Sequence, residues 1–374
     1  MTAEDACPGL LDLHEARDGH VARIRLPGGY VTGRRLRGLA ALASRFGNGY
    51  TDLTARGNVQ IRGVAAGDAA GLARQAAAAG LLPSPAHDRA RNITASPLAG
   101  LAGHPDLRKL VQALDRALRA DPALAALTGR FLFCLDDGTG RAGLAGCDVG
   151  LRWHPRGTDL ILAGRQTGLR GAAPWAIAQA IAAARAFLQQ RESSGRMAGL
   201  PDGGAAVAAA VGGVLGDRVT DITSRLPLGL VAGTPHADNA LADTDPVVVV
   251  AAPLARLTAL QLRLLGRMLR PGEAARLAAA GRVVLPLAGP GPAALLRLAG
   301  AGLLVSGDHA LSSVTACSGM SCARSLADVR SLAGRVPGLA AVHWAGCSRR
   351  CGLPADATAV VAISADQFTI AGPA

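Results

Sequence analysis

The chain has 374 residues, with 39 Lys+Arg against 27 Asp+Glu for a formal net charge of +12, and it is 50% hydrophobic but only 3% aromatic. That length allows roughly two to four domains and a large buried core. The scarcity of rings excludes the stacking platforms of a single-strand nucleic-acid binder, and no uncharged apolar run reaches the roughly eighteen residues of a membrane span. The opening stretch MTAEDACPGLLDLHEARDGH lacks a basic segment followed by an apolar one. A cytoplasmic setting with reduced thiols is therefore expected.

All of the basic residues except Lys109 are arginine. Arginine grips carboxylates two oxygens at a time, so the charge suits a polycarboxylate small molecule; a freely used surface arginine is the bland alternative. His20–Leu26 alternates as a strand. Gly33–Phe46 places Leu36, Leu39, Ala40, Ala43 and Phe46 on one helical face. After an Asn48-Gly49 turn, Tyr50–Val64 alternates again, and Gly67–Leu82 reads as an Ala-rich helix. This β-α-β-α order predicts a small α+β sandwich. On the second strand, Thr54, Arg56, Asn58, Gln60 and Arg62 recur at every second position and would share a face. Two guanidiniums with two amides make it a candidate carboxylate-binding face; the solvated face of an edge strand is the alternative.

The middle of the chain opens with HDRARNITASPLAGLAGHP. A helix is predicted over Pro105–Arg119, strands over Arg130–Leu135, Ala145–Trp153 and Asp159–Ala163, and a helix over Ala173–Gln190. Cys134 and Cys147 are isolated and read as small buried hydrophobes. The Gly/Ala-rich stretch 193–216 fits a domain boundary. An internal repeat follows: residues 61–82 parallel 283–304, and Leu257–Leu269 matches the helix at 33–46. At that spacing Arg276, Ala278, Ala280, Arg282 and Val284 replace the polar face.

Cys317, Cys322, Cys347 and Cys351 cluster near the C-terminus as Cys-x4-Cys and Cys-x3-Cys. Thiolates are soft ligands for zinc or an Fe–S cluster. On a helical turn Cys347 and Cys351 would share a face, with Cβ atoms about 5–6 Å apart. Spacing alone leaves disulfides, structural zinc and Fe–S open. Ala323–Leu332 reads as a helix whose N-terminal amides would face the cluster. His343 is either an outer support of the thiols or structural.

The flanking residues carry a resemblance. ACSG…C with VHWAGCSRRCG resembles the cluster-binding region of the siroheme-type nitrite and sulfite reductase superfamily. TDLTARGNVQIRG resembles its LTTRQxxQxRG segment. Arg91-Asn92 and SPLAG, together with the cysteine stretch, resemble the precorrin-3B synthase branch. The chain departs twice from that pattern: the first cysteine pair has four intervening residues rather than five, and Arg350 stands where the family has Gly. RFLF occupies the place of the family's KFK, so Arg130 keeps the first cation and Leu132 loses the second.

The resemblance implies an α+β fold of duplicated nitrite/sulfite reductase-like architecture, with ferredoxin-like half-domains and cluster- or tetrapyrrole-binding α+β domains. The expected segments are 1–85, 86–217, 218–304 and 305–374. It implies a [4Fe-4S] cluster on Cys317, Cys322, Cys347 and Cys351. Substrate would be held by Thr54, Arg56, Asn58, Gln60 and Arg62, joined by Arg91, Asn92 and Arg130. The implied activity is the oxygenation of precorrin-3A with O2, with NADH or a donor protein as reductant and an additional iron. Siroheme in place of that iron, in a nitrite or sulfite reductase, is the alternative, and a family member that merely binds tetrapyrrole or metal is a third. No dinucleotide-binding loop is assigned, because the Gly-rich stretches are read as lacking the flanking strand and downstream acid that such a loop needs.

Overall fold

The computed structural model describes residues 7–222, 224–232, 246–335 and 341–372. Two five-stranded antiparallel sheets form its centre. The first has the order His14–Ala16, Gly19–Ile24, Val59–Val64, Tyr50–Leu53, Arg256–Thr258. The second has the order Gly229–Val231, Val247–Ala251, Arg282–Pro286, Ala274–Leu277, Tyr30–Thr32. Each sheet thus ends on a strand contributed by the other repeat. Thr32 and Thr258 then cap the next helices, Gly33–Phe46 and Ala259–Met268, each hydroxyl accepting from the backbone three residues on. The two helices cross where Gly33 meets Gly266. A Cβ on Gly33 would lie 2.6 Å from the Gly266 carbonyl, so only a bare backbone fits. Leu36, Leu39, Leu262 and Leu265 join both sheets into one apolar core.

The strand pairing corrects the repeat register. Arg256 pairs with Asp52 and Asp52 with Gln60, while Tyr30 pairs with Arg276 and Arg276 with Val284. Asp52 is therefore the counterpart of Arg276, and Gln60 that of Val284. The helices Ala69–Ala78 and Gly291–Gly300 keep the sequence offset, but the strands are two residues out, because the loops between them differ in length.

A second correction concerns residues 50–64. They form a hairpin, Tyr50–Leu53 against Val59–Val64, with a tight turn between. Thr54 Oγ1 accepts from the Arg56 and Asn58 amides, and Gly57 takes φ +67°. A Cβ there would meet the Leu277 carbonyl at 2.6 Å. The alternation of polar residues therefore does not run along a single face.

The third sheet has the order Arg165–Gly171, Gly157–Leu162, Val149–His154, Phe133–Asp136, Ile93–Ala95. The fourth is Val314–Ala316, Val342–Ala345, Thr358–Ala362, Phe368–Ala371. Both follow one plan: two parallel pairings, then an antiparallel hairpin. The third sheet is packed by Arg108–Ala120 and Ala173–Gln190, whose Leu114, Leu118, Ala183 and Phe187 are fully buried. The expected helix over Ala323–Leu332 shortens to Val329–Ala333. Ser325 Oγ donates to the Ala327 carbonyl and holds the preceding residues in a turn.

Candidate functional site: a thiol cradle beside a polar sheet face

The four clustered cysteines follow the C-terminal ends of two parallel strands. Cys317 comes directly after Val314–Ala316, and Cys347 two residues after Val342–Ala345. The Cys317 amide donates to the Trp344 carbonyl at 2.9 Å, extending the ladder by one residue. Cys317 Sγ accepts from the Gly319 and Gly346 amides at 3.4 and 3.2 Å. These two amides, and not a helix N-terminus, point at sulfur. Gly346 lets Ser325 pack close, since a Cβ there would fall 1.9 Å from Ser325 Oγ.

The thiols sense one another. Burial, then Cys347, Cys317 and Cys322, push the Cys351 thiol upward, and Arg349 opposes them. Among the described residues, no three His, Cys, Asp or Glu side chains are gathered for a lone metal ion. Arg330 adds a half-buried cation. It donates to the Cys317 and Leu254 carbonyls at 3.1 Å each. Burial and then Arg256 pull its pKa down to about 10, opposed by Asp52 and then by negative charge at Cys317. Soft thiolates, amides aimed at sulfur and a neighbouring guanidinium fit an anionic, sulfur-ligated group. His343, behind the cradle, is 1% exposed and pairs through Nδ1 with Thr315 Oγ1 at 2.9 Å. Burial drops its pKa to about 4, so it is neutral.

The first sheet meets the cradle through Arg62. Its guanidinium pairs with Asp18 at 3.1 and 3.2 Å, donates to Ser318 Oγ at 3.3 Å and to the Ser321 carbonyl at 2.7 Å. Both serines lie between Cys317 and Cys322. Arg17 adds a bond from its amide to the same Ser321 carbonyl. Beside Arg62, one row of side chains crosses the sheet: Arg256, Asp52, Gln60 and Arg23.

The other expected substrate residues sit nearby in two groups. Arg56 stands at the hairpin tip and reaches the Gly129 and Arg130 carbonyls at 3.3 and 3.4 Å. Thr54 shapes that turn, and the Arg130 side chain is exposed. Asn58 and Asn92 bond each other at 3.1 Å and otherwise serve backbone: Asn58 accepts from Leu26, and Asn92 donates to Gly129 and Phe131. Arg91 is buried and pairs with Asp115 at 2.7 Å. Leu132 lies in an apolar cluster with Cys134, Leu144, Cys147 and Ile161.

Three comparisons bear on this site. Residues 14–79 match the nitrite/sulfite reductase ferredoxin-like half domain. The NirA protein of Mycobacterium tuberculosis superposes with a TM-score of 0.70, at 18% identity, over 94% of this chain and 73% of that one. The resemblance to the nitrite and sulfite reductase superfamily holds in sequence and in fold. Within this superfamily, precorrin-3B synthase of Sinorhizobium sp is 32% identical over 149 residues, 39% of this chain and 31% of that protein. Ferredoxin–nitrite reductase of Synechococcus elongatus is 38% identical over 104 residues, 27% of this chain and 20% of that protein. The Leptolyngbya laminosa enzyme is 40% identical over 81 residues, 21% of this chain and 16% of that protein. The matched stretches thus span under a third of each of these curated relatives. The architecture is the duplicated one of nitrite/sulfite reductases, with the thiol cradle in the last sheet.

A cavity of about 350 Å³ lies on the other side of the hairpin tip, lined by Arg56, Arg141, Arg225, Arg282, Asp221 and Asp356 among others. Of these, the sequence points to Arg56 as a substrate ligand and to Arg282 only as a replacement in the second repeat. The pair DGTGRAGL (137–144) and GCSRRCGL (346–353) is the signal that would have drawn attention to Arg141.

Proposed function

We propose that the chain is a precorrin-3B synthase-like oxygenase of corrin biosynthesis. One oxygen atom of O2 enters precorrin-3A and the other leaves as water, with two electrons from NADH or a donor protein and the two protons completed from solvent. What carries the reading is the thiol cradle joined through Arg62 to a polar sheet face, together with the similarity to precorrin-3B synthase. Cys317, Cys322, Cys347 and Cys351 would hold a [4Fe-4S] cluster, which when bound relays single electrons. Arg23, Gln60 and Arg256 would take substrate carboxylates. Arg56 and Arg130 would close the far end, and Thr54, Asn58, Asn92 and Arg91 would hold these groups in place. The segments 1–85, 86–217, 218–304 and 305–374 are proposed as its half-domains and binding domains. Its place is the cytoplasm, and its partners are the tetrapyrrole and an electron donor, not nucleic acid or membrane.

Siroheme-dependent nitrite or sulfite reduction is the second reading, favoured by the two ferredoxin–nitrite reductase stretches. Against it stands Leu132, 7% exposed among apolar neighbours where a second cation would be needed. Anaerobically purified protein given precorrin-3A, O2 and a reductant should yield precorrin-3B. Turnover of nitrite or sulfite instead, with sharp heme-like absorption bands, would overturn the proposal.

A further inference from the structure

The two α+β sheets repeat in side-chain detail, and the repeat generates a second cavity. Ser96 follows Ile93–Ala95 as Cys317 follows Val314–Ala316. The Ser96 amide donates to the Leu135 carbonyl at 3.0 Å, as Cys317 does to Trp344 at 2.9 Å. The Asp137 amide donates to Ser96 Oγ at 3.1 Å, as Gly346 does to Cys317 Sγ at 3.2 Å. Thr94 Oγ1 bonds Cys134 Sγ at 3.0 Å, as Thr315 Oγ1 bonds His343 Nδ1 at 2.9 Å.

The thiol cradle faces the first half-domain from the C-terminal edge of the fourth sheet. Its counterpart, at the C-terminal edge of the third sheet, lines the 350 Å³ cavity through Thr94, Pro97, Arg141 and Gly143. Residues Ala278–Ala280 of the second hairpin tip and 353–356, which lead into the strand Thr358–Ala362, line the same cavity. Arg282 stands where the first repeat has Asn58, and it is 6% exposed.

This cavity is built around cations. Arg282 donates to the Leu226 and Ser312 carbonyls at 3.1 and 3.0 Å. Burial and the neighbouring Arg225 lower its pKa to about 10. Arg225, its side chain 9% exposed, pairs through Nε with Asp356 at 3.0 Å. Its Nη2 is buried without a hydrogen-bond partner. Arg141 donates to the Ser224 carbonyl at 3.0 Å. Asp221 is engaged by the Leu144 and Ala145 amides at 2.8 Å each. Four guanidiniums thus face two carboxylates. Arg282 is buried, and Arg56, Arg141 and Arg225 are half-buried beside it, so like charges gathered here favour a counter-anion.

We propose that this cavity is a second ligand site, for a small dicarboxylate anion, separate from the thiol cradle and holding no metal. Two carboxylates balance the excess charge, and guanidiniums bind them in paired hydrogen bonds. The inference does not rest on the function proposed above.

Calorimetric titration of the full chain with succinate tests it. Saturable binding is expected, with none for the uncharged succinamide. Arg141→Ala, at the rim, should weaken succinate at least about tenfold. Ala279→Glu, which places a carboxylate in the cavity, should abolish binding while leaving the far-UV spectrum and thermal midpoint intact. Equal binding of succinamide, or unchanged affinity in both variants, would overturn the proposal. Displacement of succinate by uroporphyrin III would also overturn it, by making the cavity part of a macrocycle site. Iron content plays no part in any of these readouts.

Discussion

The two cradles share a backbone plan and differ in what fills them. In the third sheet, the buried carboxylate of Asp136 sits inside the loop that follows its strand. Its Oδ1 accepts from the Gly138 and Gly140 amides at 2.9 Å each, and its Oδ2 from the Ala142 amide and Ser96 Oγ at 3.1 Å each. In the fourth sheet Ala345 stands at that place. Gly138 and Ala142 become Cys347 and Cys351, and Ser96 becomes Cys317. One cradle carries its own anion. The other has an apolar side chain there, with Cys317, Cys347 and Cys351 at the positions of Ser96, Gly138 and Ala142. The same backbone plan thus carries a buried carboxylate in one half, and an apolar residue with flanking cysteines in the other, where the proposed cluster would sit.

The sharpest way to break this contrast is to exchange the key residues. Ala345→Asp should put a carboxylate where the cluster belongs, and iron and sulfide content should fall to background. Asp136→Ala strips four donors of their acceptor. It should cost about 3–5 kcal/mol in urea unfolding while leaving iron content per folded chain unchanged. If Ala345→Asp retains full iron, the open cradle is not the cluster's place.

Arg62→Ala comes next. The Arg62–Asp18 pair has side-chain exposures of 7% and 22%, and the same guanidinium clasps the loop between Cys317 and Cys322. The loss should be about 3 kcal/mol, discounted toward 2 for the partly exposed Asp18. Iron release to a chelator should also quicken. A stability loss with unchanged release would make Arg62 a purely structural residue.

Gly346→Ala should have a smaller effect. Its Cβ would press on Ser325, whereas the counterpart Asp137 carries a buried side chain that accepts from Thr139 and meets His104. A destabilisation of about 1–3 kcal/mol is expected, partly recovered in Gly346→Ala with Ser325→Gly. Arg350→Gly should be the smallest. Arg350 holds φ +47°, a left-handed geometry that costs a non-glycine residue about 1 kcal/mol, and its counterpart Arg141 is not among the positive-φ residues. A gain of up to about 1 kcal/mol is expected at 350 and none at 141, read from urea midpoints.

Much of this was legible in the sequence, for identifiable reasons. The cysteine spacing and the repeat of helices at 69–78 and 291–300 survive because they are local. The strand exchange of Tyr30–Thr32 and Arg256–Thr258 was hidden, since three-residue strands carry no periodicity and their partners lie over two hundred residues away. The alternation of polar residues over 54–62 suggests one strand face, whereas the chain turns at 54–58 and Arg62 lies on the return strand. Among the partners of Arg62, Ser318 and Ser321 are equally remote in the chain, while Asp18 lies 44 residues away. The Thr54–Asn58 turn was masked by the same alternation, although Gly57 was its sign. Position 350 was legible as a departure from glycine, and the backbone there keeps the glycine-like angle.

The most direct measurement is iron and acid-labile sulfide per chain, on anaerobically purified wild-type protein beside Cys347→Ser and Ser96→Ala. The account predicts about four of each in the wild type and in Ser96→Ala, and none in Cys347→Ser. Zinc alone in the wild type, or iron that survives Cys347→Ser but is lost in Ser96→Ala, would contradict it.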